Sequence, residues 1–221
     1  EDTRCNNCHQ ELGAFTDSAF HAGQRNDGST CAWCHTPNRT SSGWSADSTY
    51  YIHAIHGGAK RSVAFNWHAA TAGETFAEVK SPAILAQCET CHLPGTYDYS
   101  LLSSSAMGSR LYRTSATGTL ASTGTTYTFS PYITQDVNYG SGFSFSAATG
   151  VTTAAAATTL TISPIMTQCV SCHDTQVARN HMTSNGGSFY APRSTALATP
   201  EQCLICHGTG RVADVKVMHT K

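Results

Sequence analysis

Charge is what this chain has least of. Only 12% of its 221 residues are Asp, Glu, Lys or Arg, and the formal net charge is −1. That excludes a basic surface for gripping nucleic-acid phosphates. Large aliphatic residues are also sparse, while Ser, Thr, Gly and Ala are plentiful. No apolar run is long enough to span a bilayer, and no cleavable leader is visible. Glu1 therefore reads as a processed or truncated start, and the chain as a piece of a longer secreted protein. The length fits one large domain or two small ones. Such a composition would struggle to build an ordinary hydrophobic core. No cysteine stands outside one recurring motif, so no thiol is left over.

That motif is Cys-x-x-Cys-His. It occurs as Cys5-Asn-Asn-Cys8-His9, Cys31-Ala-Trp-Cys34-His35, Cys88-Glu-Thr-Cys91-His92, Cys169-Val-Ser-Cys172-His173 and Cys203-Leu-Ile-Cys206-His207. Random placement of ten cysteines and eleven histidines yields about 0.02 copies. Disulfides need no His after the second Cys. Zinc ribbons use two Cys-x-x-Cys units per metal, which leaves one of five unpaired. A thioredoxin-like motif comes singly, in a βαβ context that is not visible here. The pattern is the attachment signal for c-type haem. Two thiols add to the haem vinyl groups, and the adjacent imidazole becomes the proximal ligand of the iron. Five copies predict five covalently attached haems. The porphyrins are then expected to form the core, and the apo-chain to be unfolded or nearly so. Haem propionates make the loaded domain acidic, which again argues against nucleic acid. Covalent attachment takes place outside the cytoplasm, so the domain is expected to be periplasmic or extracellular.

The motif starts at residues 5, 31, 88, 169 and 203 are unevenly spaced, so the motif recurs but the surrounding unit does not. The expected fold class is mostly irregular, with short α-helices, little β and haems as the core, in a single domain over residues 1–221. Ser81-Pro82, Ser163-Pro164 and Thr199-Pro200 each precede a motif and read as helix starts. Gln202 completes a capping box in the last, and Gly208 and Gly210 close that helix. The helix from Pro164 is expected to run through His173 to His181 and stop before Asn185-Gly186-Gly187. Residues 43–60 read as another helical stretch. Residues 100–162 hold neither Cys nor His and alternate in a β-like way at Thr126-Tyr127-Thr128-Phe129. They read as an inserted surface loop or irregular hairpin without haem, alternatively a partner-docking arm.

Six histidines remain after the five proximal ones: His21, His53, His56, His68, His181 and His219. A low-spin electron-transfer haem needs a second strong axial ligand. Met107, Met166, Met182 and Met218 are alternatives, but six histidines for five irons make bis-His ligation the economical reading. His53 and His56 lie at i, i+3 on one helix face, so they serve different haems. His181 is about two turns after His173 on one helix and cannot reach across the same iron. His219 requires the C-terminus to be tied down. His68 reads as the bystander. Trp33, Trp44 and Trp67 read as haem-packing aromatics. Calcium is a further candidate ion for bracing the loops.

Several stretches resemble the C-terminal pentahaem domain of outer-membrane decahaem cytochromes, the OmcA/MtrC family. They are Phe20-His21-Ala22-Gly23-Gln24-Arg25, Cys34-His35-Thr36-Pro37-Asn38, Ile52-His53-Ala54-Ile55-His56-Gly57-Gly58 and Cys172-His173-Asp174. His181-Met182 with Asn185-Gly186-Gly187 and Phe189-Tyr190 matches too, as does Asp214-Val215-Lys216-Val217-Met218-His219. They cover the chain except for about residues 100–162. The resemblance implies that His21, His53, His56, His181 and His219 are distal ligands. It also implies electron transfer at the outer-membrane surface to metal oxides, flavins or other cytochromes, with a porin-cytochrome complex as partner. The family's split β-barrel domains and second pentahaem domain are not in this stretch. Two other functions compete with a wire. A reductase of a small oxyanion needs one open haem. A subunit of a conducting filament, self-associated, would borrow a distal ligand such as His219 from its neighbour.

Overall fold

The structure, a computed structural model, describes residues 2–9, 21, 28–67, 75–97, 99, 110–121 and 128–220. His68, read as the bystander, and Thr126-Tyr127, half of the β-like run, lie outside the described residues. Helices are short: α1 Asp2–His9, α2 Cys31–Cys34, α3 Ser48–His56, α4 Pro164–Val170, α5 Gln176–Ser184, α6 Arg193–Ala198, α7 Leu204–His207 and α8 Val215–Met218. Strands are shorter still: β1 Thr40–Ser41, β2 Trp44–Ser45, β3 Arg113–Ala116, β4 Ser144–Phe145, β5 Thr152–Thr153, β6 Leu160–Ile162 and β7 Ala191–Pro192. Among the described residues the strand pairings are all antiparallel. The fold is the mostly irregular, helix-dotted class expected from the sequence.

Local chemistry explains the boundaries. Strands β1 and β2 turn through Ser42-Gly43, both at positive φ (53° and 75°), as a tight two-residue hairpin requires. Asp47 ends that hairpin and starts α3, its carboxylate accepting from Thr49 N at 3.0 Å. The helical stretch is thus Ser48–His56, followed by a 3-10 turn at Gly58–Lys60, and not all of 43–60.

The expected long helix from Pro164 to His181 is two helices. Helix α4 ends at Val170, and Thr175 starts α5 by accepting from Ala178 N at 3.3 Å. The break follows from Asp174, whose buried carboxylate turns inward. It accepts from Ser62 N at 2.6 Å and Val63 N at 3.0 Å and pairs with Arg61 at 3.3 Å. Helix α5 stops at Ser184 before Asn185 and Gly186 (φ 84°), as predicted.

The start of α4 is capped from a distance. Ser163 is its N-cap residue, yet its hydroxyl donates to Glu201 Oε1 at 2.6 Å. Glu201 itself accepts from Ile165 N at 2.8 Å and Met166 N at 2.7 Å. Glu201 is therefore committed elsewhere, and the capping box expected at Gln202 does not form. Thr199 ends α6, α7 starts only at Leu204 with no side-chain cap, and Gly208 closes it. Ser81-Pro82 likewise starts no helix; Cys88–Thr90 is a single 3-10 turn.

Residues 100–162 are not simply a surface loop. Strands β3 and β6 are buried, form a three-stranded sheet with β7, and pair Arg113 with Ile162, the register shifting at a bulge between Thr114 and Ala116. Between them, β4, β5 and their turn stay exposed. A small apolar core also exists without cofactors. Trp44, Tyr50, Ala54, Phe65, Ile162, Met166, Val170 and Met182 pack together where α3 meets α4 and β6. Trp44 stands in this core against Phe65 and Tyr132, rather than against a haem site. Trp67 faces the His35 ring at 6.0 Å, and Trp33 is 79% exposed.

Candidate haem-binding sites

Each motif is one helical turn. His N–H bonds the first Cys carbonyl in four of them: His35 to Cys31 at 2.9 Å, His92 to Cys88 at 2.9 Å, His173 to Cys169 at 2.8 Å and His207 to Cys203 at 2.9 Å. That turn brings positions i, i+3 and i+4 to one face, so two sulfurs and one imidazole converge. The first motif lies on α1. All ten cysteines and ten of the eleven histidines border one cavity of about 3040 Å³. None of the ten cysteines is paired in a disulfide. Burial pushes the Cys169 thiol up to about 12 and Cys203 up to about 11, which makes them poor thiolate ligands or redox thiols.

The ten described histidines stand in five pairs, each made of one motif His and one other. Numbering the sites by motif, site 1 is His9 with His56, ring centroids 6.0 Å apart. Site 2 is His35 with His21 at 6.2 Å, and site 3 is His92 with His53 at 5.9 Å. Site 4 is His173 with His219 at 6.0 Å, and site 5 is His207 with His181 at 6.1 Å. This separation has a meaning. A metal–imidazole bond of about 2 Å on each side, plus just over 1 Å from nitrogen to ring centre, puts the centroids of two imidazoles sharing one metal roughly 6.3 Å apart. The side chains therefore fit a haem iron between each pair, with the paired thiols alongside.

One imidazole of every pair is anchored through Nδ1 to a backbone carbonyl. His35 donates to Ala46 O at 2.8 Å, His53 to Thr49 O at 2.7 Å, His56 to Ile52 O at 2.9 Å, His207 to Ala213 O at 3.0 Å and His219 to Val215 O at 2.7 Å. A proton held at Nδ1 leaves the Nε2 lone pair for metal, the outer-shell device that fixes ring orientation and tautomer. Burial lowers the His35, His53 and His92 pKa values, which favours the neutral, ligating form. His173 and His181 fall in different pairs, as expected, though on two helices rather than one. Asp214 caps α8, accepting from Lys216 N at 2.9 Å, and so ties down the turn that carries His219.

The sites adjoin one another. A Cβ on Gly28, just before motif 2, would lie 3.2 Å from Cys5 Sγ of motif 1. His53 and His56 on α3 belong to sites 3 and 1. Cys172 Sγ of motif 4 lies 3.7 Å from His53 O, and a Cβ on Gly57 would collide with it. Cys169 and Cys203 are electrostatic neighbours, joining sites 4 and 5. Among the described residues no group of three His, Cys, Asp or Glu gathers to hold a separate metal ion such as calcium, and no helix is long and apolar enough to cross a membrane. Sequence reasoning missed Asp47, Arg113 and Glu201. Asp47-Ser48 carried a readable N-cap signal, whereas Arg113, three residues after Arg110, carried no sign that it is buried.

A search of curated proteins found no significant match. A family model, described as outer membrane cytochrome MtrC/MtrF-like, domains II/IV, matches residues 1–220. The motifs, the paired imidazoles and this match agree, and the chain belongs to the MtrC/MtrF-like outer membrane cytochromes, a family of multihaem electron-transfer proteins with covalently bound c-type haem.

Proposed function

We propose that this chain is a pentahaem domain, the C-terminal one of a longer outer-membrane decahaem chain, that conducts electrons to extracellular acceptors. The observation that carries the reading is the set of five imidazole pairs at 5.9–6.2 Å. Haem iron held in these pairs would supply reversible one-electron chemistry. The chain's own part is to hold each pair closed, so that no substrate reaches metal, and to set neighbouring sites side by side. The contacts between motifs support the order 2–1–3–4–5. His21, His53, His56, His181 and His219 act as distal ligands, and Cys5, Cys8, Cys31, Cys34, Cys88, Cys91, Cys169, Cys172, Cys203 and Cys206 as the thioether attachment points. Metal oxides, flavins and partner cytochromes are the acceptors, reached at the outer-membrane surface. His219 stands opposite His173 of the same chain, so no neighbour is needed to close site 4.

Haem counting with low-temperature EPR of the oxidised protein tests this. Five haems and no high-spin iron are expected. The ring planes cross at 30° and 33° in sites 3 and 2, but at 79° and 83° in sites 1 and 5. Rhombic signals from near-parallel imidazoles should therefore accompany large-g signals from near-perpendicular ones. A high-spin haem that binds nitrite or cyanide would replace the wire with an oxyanion reductase. Ten haems in the native secreted protein would support the decahaem placement, and five would refute it.

A further inference from the structure

Residues 100–162 hold no cysteine or histidine, yet one of them is tied to two of the sites. Arg113 on β3 is buried, and its Nε donates to Asp47 Oδ1 at 3.1 Å with both side chains shielded from water. Its Nη2 reaches Thr49 Oγ1 at 3.4 Å, and the residue borders the haem cavity. Asp47 caps α3 through Thr49 N. The stretch Ala46 to Thr49 then carries two imidazoles from different sites. His35 of site 2 donates to Ala46 O, and His53 of site 3 donates to Thr49 O. Ser48 N returns a bond to His35 O at 3.0 Å. One four-residue stretch thus suspends a ligand of each site, with its one charge in the middle and that charge neutralised from the inserted segment. Burial is the largest influence on both rings, lowering their proton affinity, and the Asp47 carboxylate acts on both in the opposite sense.

We propose that the Arg113–Asp47 ion pair is a shared positioning element that sets the reduction potentials of sites 2 and 3 together. The proposal rests on the bis-histidine reading of those sites. As a pair the two charges nearly cancel. Either alone leaves a unit charge in a low-dielectric interior beside both ligands. A lone carboxylate stabilises the more positive ferric state and lowers the potential; a lone guanidinium raises it.

The test is a redox titration of the holoprotein followed by EPR, in Arg113→Gln, Asp47→Asn and the double variant. Asn caps a helix about as well as Asp, so α3 should survive. Sites 2 and 3 are identified by the low-spin signals that vanish in His21→Ala and His53→Ala. Arg113→Gln should lower both potentials and Asp47→Asn should raise them. Each shift should be on the order of a tenfold change in the ferric-to-ferrous ratio, about 59 mV. The double variant should return toward wild type, with sites 4 and 5 unmoved throughout. Shifts of the same sign in both single variants, or shifts spread evenly over all five sites, overturn the proposal. Failure of His21→Ala and His53→Ala to remove low-spin signals overturns the bis-histidine reading instead, and this one with it.

Discussion

Helix Ser48–His56 and the hairpin of β4 and β5 use similar small and aromatic residues, and they do opposite things. The helix is capped by Asp47, buries Tyr50 and Ala54, and presents His53 and His56 to two sites. The hairpin has no charged residue between Asp136 and Asp174, leaves Phe145 61% exposed, and adds no residue to the cavity lining. The difference is anchoring. Apolar residues recurring at helical spacing beside a strong N-cap have a face to bury and a fixed start. Two-residue strands without a covering layer have neither. The inserted segment shows both behaviours within itself. Its base, β3 and β6, is core, and its tip is free.

Removing a ligand is the sharpest way to break the comparison. His53→Ala should turn site 3 high-spin while site 1, fed by His56 from the same helix, stays low-spin; EPR reads both. Loss of both signals would mean that α3 folds only when both ligands are bound. Next in size is Asp174→Ala. It strands Arg61 and frees the donors of Ser62 and Val63, and breaking such a buried pair costs about 3–5 kcal/mol. A drop in thermal midpoint with the haem count intact is the expected reading. Glu201→Ala exposes two helix-start N–H groups and the Ser163 hydroxyl, at a cost of about 1–3 kcal/mol in chemical denaturation. An unchanged midpoint would show that water substitutes for the carboxylate. The smallest effect belongs to the hairpin. Replacing residues 145–152 by Asn-Gly should keep the spectrum and change stability by no more than about 0.5 kcal/mol. A lost haem there would show that the tip is part of a site.

Much of the candidate site was legible because haem attachment is written locally. Cys-x-x-Cys-His places sulfurs and imidazole on one face of a single turn, whatever surrounds it. The i, i+3 spacing of His53 and His56 likewise anticipated that they fall in different imidazole pairs. Helix extents were less legible. The run from Pro164 looked continuous because nothing near Asp174 in sequence shows that Ser62, Val63 and Arg61 draw its carboxylate inward. Gln202 looked like a cap because its neighbour Glu201 gave no sign of being claimed by α4.

By itself, then, the sequence determined the recurring Cys-x-x-Cys-His turn, the covalent-haem class, the scarcity of ordinary core and the six histidines left over after the motifs. Tertiary structure alone decided which imidazole stands opposite which, the order in which sites adjoin, and the burial of Arg113 beside Asp47. The physical reason is range. A helical turn is closed by bonds between residues four apart, whereas the pairings 9–56, 53–92 and 173–219 exist only once distant segments have packed around a common cavity.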